Sequence, residues 1–182
     1  MKSRIATSIA RSAALALSLA IATPAFAQVS LAPVKVVSSF ASRASARADT
    51  LEQRAEALMT EKSSWKEAAK LYRTAAELRS DDPRAAHSFR TSAWLYAASG
   101  NRGQARKMLA KAAERSAESG DAVRAAHTYI DAAFAAAEDG RTDLVAGLIR
   151  KARLLADADV LSADQQLDIL RRLPAGSQFA SR

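Results

Sequence analysis

The sequence predicts an all-α protein, built as a stack of about three antiparallel helix hairpins and completed by a short C-terminal helix. The segment 84–89 (Arg-Ala-Ala-His-Ser-Phe) returns forty residues later as 124–129 (Arg-Ala-Ala-His-Thr-Tyr). Aligning 82–116 on 122–156 gives nine identical positions, and apolar residues recur at helical spacing in both segments. Such a fixed period is typical of repeat proteins, in which one hairpin cannot bury its apolar face alone.

The first 27 residues predict a signal peptide. A basic start is followed by an apolar run over 12–22, shorter than the about 20 residues that cross a bilayer. Pro24 breaks this run, and Ala25 and Ala27 are the small residues that a signal peptidase requires at −3 and −1. We therefore expect cleavage before Gln28 and export to a periplasm or the outside medium, with no membrane span afterwards. A retained anchor is the alternative, and the short apolar run and complete cleavage signal disfavour it.

Residues 28–182 have the length of one domain. Removing residues 1–27 takes away three basic and no acidic side chains, so the formal charge falls from +8 to +5. The remaining Lys and Arg alternate with Asp and Glu, without a basic block or interleaved aromatic residues, which argues against a nucleic-acid partner. The chain has no Cys, so an exported form must be held together by packing alone.

Residues 28–45 mix Val, Ser, Ala and Pro without helical period, and they predict a flexible leader with a short extended piece over 34–37. The helical repeat domain is expected over 46–173. Its first helix has Leu51, Ala55 and Leu58 on one face. The pattern Ser64-x-x-Glu67 predicts a capping box at the start of the second helix. The predicted buried face of that helix is Trp65, Ala68, Ala69, Tyr72, Ala75 and Ala76.

Asp82 and Pro83 predict the cap and the first turn of a third helix. Turns at Gly100, Gly120 and Gly140 then separate four helices. Their predicted buried stripes are Phe89, Ala93 and Tyr96; Ala105, Met108, Leu109, Ala112 and Ala113; Tyr129, Ala133 and Ala136; and Leu144, Val145, Leu148, Ile149, Ala152 and Leu155.

The pattern Ser162-x-x-Gln165 predicts a capping box for a last helix that ends at Leu173, and residues 174–182 are expected to form a disordered tail. We expect the last helix to cover the open end of the stack through four leucines: Leu161, Leu167, Leu170 and Leu173.

A four-helix bundle is the competing architecture, but it does not explain equivalent units spaced by 37 and 40 residues. The second unit has the order aromatic, small, aromatic, Gly turn, Ala, bulky, Ala, and the third departs from it at Ala136, where an aromatic residue is absent. In this order the units resemble the tetratricopeptide repeat. The second unit supplies Phe89, Ala93, Tyr96, Gly100, Ala105, Leu109 and Ala112, and the third supplies Tyr129, Ala133, Ala136, Gly140, Val145, Ile149 and Ala152. The resemblance implies a right-handed superhelical stack, in which the first helix of each hairpin lines a concave groove.

The groove positions implied by this resemblance are His87, Arg90, Thr91, Trp94, His127, Ile130, Asp131 and Phe134. Because the two histidines occupy equivalent places, we expect them on one surface about one helix spacing apart. Aromatic rings, imidazoles, an Arg and an Asp suit a peptide or an anionic ligand. The alternative is that duplication merely copied these residues and that Trp94 and Phe134 pack between helices. Both interpretations stay open at this point.

The sequence contains no nucleophile elbow, no Gly-rich phosphate loop and no His-Glu-x-x-His motif. We therefore expect a protein without catalytic activity or cofactor. A metal held by the two histidines is disfavoured, because metal sites normally take three or four ligands. The leading hypothesis is an exported scaffold or adaptor that binds a protein or peptide. The alternatives are a carrier for a small ligand and a self-associating structural repeat protein.

Overall fold

The computed structural model describes residues 34–79 and 82–174, and for residues 34–39 only the backbone. These residues form seven α-helices and one 3-10 turn (Lys62–Ser64), with no strand among them. The helices are α1 Val34–Leu58, α2 Trp65–Leu78, α3 Arg84–Ala98, α4 Arg102–Glu118, α5 Ala122–Glu138, α6 Thr142–Ala156 and α7 Ala163–Arg172. The predicted all-α class is confirmed. The predicted signal peptide, its cleavage residues Ala25, Ala27 and Gln28, and residues 175–182 of the predicted tail lie outside the described residues.

Helix α1 corrects one part of the sequence analysis. It begins at Val34, so residues 34–45, which were expected in a flexible leader with an extended piece, are helical. No Gly or Pro interrupts residues 34–58. Once Ala48 and Ala55 are buried against the rest of the fold, each further residue adds one backbone hydrogen bond to an existing helix, and this propagation costs little.

The three predicted glycine turns are confirmed. Gly100, Gly120 and Gly140 have φ angles of 78°, 82° and 71°, in the left-handed region that glycine adopts without steric cost. The residue after two of these glycines caps the next helix. Asn101 Oδ1 accepts a hydrogen bond from Gln104 N at 3.2 Å, and Asp121 Oδ1 accepts one from Arg124 N at 3.1 Å.

The other predicted caps have different outcomes. Asp82 Oδ1 accepts a hydrogen bond from Arg84 N at 2.8 Å, as expected for a cap of α3. Ser162 and Gln165 form both bonds of a capping box at the start of α7. The capping box predicted for Ser64 does not form. Its φ and ψ are −93° and −4°, because the 3-10 turn leads directly into α2, whereas a capping side chain needs an extended backbone.

Alanine occupies many of the positions where the helices cross. Ala68, Ala75, Ala112, Ala125 and Ala133 are all fully buried. A side chain no larger than a methyl group lets neighbouring helix axes approach closely, and larger side chains fill the flanking space. The larger core residues are Tyr72, Phe89, Leu95, Tyr96, Met108, Tyr129, Ile130, Val145 and Ile169. The predicted stripe of α6 is buried only in part, since Leu144, Leu148, Ile149 and Leu155 keep some exposure.

Two equivalent ion pairs show how successive hairpins join. Lys111 Nζ on α4 lies 3.0 Å from Glu77 Oε1 on α2, and Lys151 Nζ on α6 lies 3.2 Å from Glu114 Oε1 on α4. Each ammonium group also lies over an aromatic ring of the intervening helix, 5.3 Å from the Phe89 centroid and 5.1 Å from the Tyr129 centroid. Long side chains of α2, α4 and α6 therefore meet over the ring of the helix that separates them in the chain.

Each helix from α1 to α6 packs mainly against its neighbours in the chain, and α7 packs against α5 and α6. This sequential order differs from a closed four-helix bundle, in which the first and fourth helices would pack together. Among the described helices, none combines the length and apolar character needed to cross a bilayer.

Candidate functional site

A cavity of about 580 Å³ lies between α3, α4 and α5. Its walls are mostly apolar, and its charged groups come from two helices that are not adjacent in the chain. The lining residues are His87, Arg90, Thr91, Ala93, Trp94 and Ala97 of α3, Ala105 and Leu109 of α4, and Asp131 and Ala135 of α5. Small residues of three helices thus leave a hollow, and longer side chains surround it.

Trp94 is the largest exposed apolar side chain of this cavity, with 54% of its surface accessible. Its ring lies against Trp65 of α2, with 5.4 Å between centroids and a tilt of 44°. Trp65 is itself held in place, because its Nε1 donates a hydrogen bond of 2.9 Å to Met59 O. Trp94 therefore rests on a fixed neighbour and still presents about half of its surface to solvent. Packing between helices accounts for only part of its environment.

A second cavity, of about 340 Å³, adjoins the first and shares Arg90 and Asp131 with it. It is more polar than the first, and it extends towards α7. Its other lining residues are Asp121, Val123, Arg124, His127, Thr128 and Arg172. We call the two adjoining cavities together the groove. One end of the groove is therefore apolar and contains Trp94, and the other end is charged.

His127 lies at the charged end and is mostly buried. Its Nε2 is 3.0 Å from Asp168 Oδ2 of α7, which makes an ion pair when the imidazole is protonated. His87, by contrast, is exposed and lines the apolar cavity. The two histidines thus line different cavities of the same groove, and α7 gives His127 a partner that His87 does not have.

Asp131 lines both cavities and therefore lies where they meet. Loss of surrounding water raises the pKa of its carboxyl group, while the positive charges of Arg172, Arg90 and His127 act in the opposite direction. These three groups come from α7, α3 and α5 respectively. The Asp131 carboxylate is therefore surrounded by side chains of three helices that can carry positive charge.

The structure brings five of the predicted groove residues into one cavity: His87, Arg90, Thr91, Trp94 and Asp131. The Thr91 hydroxyl donates to His87 O at 3.2 Å. Phe134 lines neither cavity, although 40% of its surface is exposed. Ile130 is a correction to the sequence analysis, because it is 2% exposed and packs in the core with Tyr129 and Ala126.

Several groove residues were missed or misassigned by sequence reasoning. Leu109 was assigned to the core from its helical spacing, but it also lines the first cavity. Arg172 lies more than forty residues along the chain from Asp131, and α7 was expected only to cover the end of the stack. No local pattern marks Arg172, because its place in the groove depends on how α7 returns to α5.

Among the described residues, no group of three or more His, Asp or Glu side chains is arranged to hold a metal ion. Comparison with protein families, with curated proteins and with solved structures found no match for this chain.

Proposed function

We propose that this chain is an exported, non-catalytic helical-repeat protein that holds a segment of a partner protein in the groove. The arrangement proposed for the helices is a right-handed superhelical stack of the tetratricopeptide type. Export is proposed on the N-terminal pattern of basic start, apolar run and small residues at −3 and −1. The observation that carries the binding proposal is the exposure of Trp94 beside charged groups of both signs.

Exposed tryptophan is unusual on a free surface and is enriched where proteins bind each other. Trp94 is held by Trp65, so little side-chain entropy is lost when a partner covers it. The apolar wall around it offers area for a partner's side chain, and Arg90 and Asp131 offer polar contacts that orient a chain. This combination of a rigid aromatic anchor and a polar surround is typical of binding hot spots.

A small-ligand carrier is the second candidate, and the volume of the first cavity favours it. About 580 Å³ is within the range of roughly 300–1,000 Å³ that small-molecule sites occupy. A soluble metabolite that binds only the folded chain would raise the thermal midpoint with concentration. A small molecule would occupy the first cavity alone. A partner segment would cover Trp94 and Leu109 there and would also extend past Arg90 into the second cavity.

The test compares capture of partners by two double variants. The chain is expressed with its own N-terminal segment and a tag after Arg182, and bound proteins are cross-linked, digested and identified. Replacing Arg90 and Trp94 by Ala should abolish cross-linking of the partner. Replacing Lys107 and Leu154 by Ala is the matched control, because both are exposed and neither lines the groove.

The folded state of each variant is checked by circular dichroism and thermal melting. If the Arg90/Trp94 variant is folded and captures the same protein as the control, the groove is not the binding surface. If only a small molecule raises the thermal midpoint and no protein cross-links through the groove, the carrier function replaces the adaptor function.

A further inference from the structure

The charges at the α5–α7 end of the groove are unequally paired. Arg124 Nε lies 3.0 Å from Asp121 Oδ2, so these two charges satisfy each other. His127 faces Asp168. Arg90 and Arg172 form no ion pair with any of the described residues, and they act on Asp131 only at longer range. Two guanidinium groups therefore lie near one carboxylate, and Arg90, Arg172 and Asp131 together carry one excess positive charge.

We propose that the groove takes an acidic protein segment that carries an aromatic side chain next to Asp or Glu. The aromatic ring would lie against Trp94 and Leu109 at the apolar end, and the side-chain carboxylate would bind Arg90 and Arg172 at the charged end. This inference rests on the proposed function and adds the chemistry of the partner to it.

The distribution of polarity along the groove supports this orientation. Arg90 and Asp131 are the residues that both cavities share, so a carboxylate bound to Arg90 is adjacent to the apolar cavity. Arginine presents a planar fork of N–H donors that matches a carboxylate and is only weakly hydrated. A ligand that fills the Trp94 cavity thus places its next polar group within reach of Arg90.

Asp131 explains why a free anion is a poor ligand here. Its carboxylate repels a second negative charge, and exposed ion pairs contribute little to binding on their own. A small anion would gain little from Arg90 and Arg172 against that repulsion. A segment with an aromatic ring adds the burial of apolar surface against Trp94, which a free anion lacks.

The experiment uses short peptides of equal length with acetylated and amidated ends, so that no terminal charge contributes. One peptide alternates Phe with Glu, a second replaces Glu with Gln, a third replaces Glu with Lys, and a fourth replaces Phe with Ala. Binding to the purified chain is measured by fluorescence anisotropy. We expect the Phe/Glu peptide to bind about tenfold more tightly than the Phe/Gln peptide, and the Phe/Lys and Ala/Glu peptides to bind more weakly still.

Variants then assign this preference to residues. Replacing Arg90 and Arg172 together by Ala should equalise binding of the Phe/Glu and Phe/Gln peptides. The matched control replaces Arg54 of α1 and Arg171 of α7, which are exposed arginines outside the groove, and should keep the preference. Asp131→Asn should strengthen binding of the Phe/Glu peptide severalfold and leave the Phe/Gln peptide unchanged, because it removes the repelling charge.

The outcomes separate this inference from the proposed function. Equal binding of the Glu, Gln and Lys peptides, lost in Trp94→Ala, would overturn the acidic preference and keep the groove as a binding surface. Tighter binding of the Phe/Lys peptide, weakened by Asp131→Asn, would overturn it in favour of a basic partner. Absence of binding by every peptide would contradict the acidic preference and the groove function together.

Discussion

Among the described residues, Arg79 is the charged side chain that is buried. It follows α2 and is only 4% exposed, although arginine is almost never fully buried unless it is paired. Its guanidinium binds Asp49 and Glu52 of α1, and it donates to Ser88 Oγ of α3 at 3.1 Å. Burial lowers the pKa of Arg79, but the bonds to Glu52 and Asp49 outweigh this and leave it raised. One side chain therefore ties three helices together.

Replacing Arg79 by Ala should lower the free energy of unfolding by about 3 kcal/mol, because it leaves the Glu52 charge partly buried without a partner. Urea denaturation followed by circular dichroism measures this change. Arg84→Ala is the matched control. Arg84 also pairs with Asp49, at 3.3 Å, but its side chain is 57% exposed, so its loss should cost much less stability than the loss of Arg79. Equal losses in the two variants would show that the buried pairing does not stabilise the fold.

The same buried position recurs in each hairpin with a different residue. Arg79 corresponds to Ser116 and Ala156 at the repeat spacing, and all three are buried. Only the first of these positions faces a helix with two acidic residues to accept a guanidinium. Helical period alone would place a small or apolar residue there, so the sequence pattern gives no reason to expect a buried charge.

At the scale of the element, α7 is the helix that differs most from the expectation based on the sequence. The expected covering residues were Leu161, Leu167, Leu170 and Leu173. The fully buried one is instead Ile169, which packs with Tyr129, Ile130 and Ala152. Leu161 and Leu173 pack beside it, whereas Leu167 and Leu170 are 45% and 48% exposed. Within α7, the face that packs against the core is therefore the one that carries Ile169, and not the one that carries Leu167 and Leu170.

Replacing Ile169 by Ala should detach α7 and lower its amide hydrogen-exchange protection, because it leaves a cavity that typically costs about 2–5 kcal/mol. Protection in α3 and α4 should stay unchanged. Leu167→Ala, at an exposed position of the same helix, is the control and should change little. Full protection of α7 in the Ile169 variant would show that this helix is held by other contacts.

Pro174 is a further correction to the prediction for the C-terminal end of the chain. It was expected to begin a disordered tail, but it is buried and lines a cavity of about 410 Å³ with Val145, Ile149 and Arg153. A proline lacks the backbone N–H of other residues, so burying it leaves no donor unsatisfied. The folded part of the chain therefore includes at least Pro174.

At the scale of the whole molecule, the repeat determines how hairpins join. Lys111 and Lys151 are equivalent residues, and each bridges to an equivalent Glu over an equivalent aromatic ring. Partial burial lowers the pKa of Lys151, but the hydrogen bond from its ammonium group to Glu114 and the proximity of Tyr129 leave it raised. A spacing detected in the sequence thus corresponds to a repeated contact between neighbouring hairpins.

The proposed export signal gives a prediction at the scale of the whole chain. When the chain is expressed in a bacterial host, N-terminal sequencing of the purified protein should begin at Gln28. Replacing Ala25 and Ala27 by Leu should leave an uncleaved precursor, because the peptidase accepts only small residues at these positions. Ala22→Leu, within the apolar run, is the control and should be processed normally. A purified protein that keeps Met1 would contradict the signal-peptide assignment.

The sequence by itself determined the helical class, the three glycine turns and most of the buried stripes. These features follow from local rules, since a left-handed turn selects Gly and a buried helix face repeats every three to four residues. The resemblance to the tetratricopeptide repeat also assigned His87, Arg90, Trp94 and Asp131 to one groove, and these four residues line one cavity.

Only the tertiary structure decided the composition of the charged end of the groove. Arg172 and Asp168 reach His127 and Asp131 because α7 packs on α5 through Ile169. In the same way, Arg79 is buried because α1 presents two carboxylates to it. Such contacts depend on the relative placement of helices far apart in the chain, and no local period of the sequence encodes that placement.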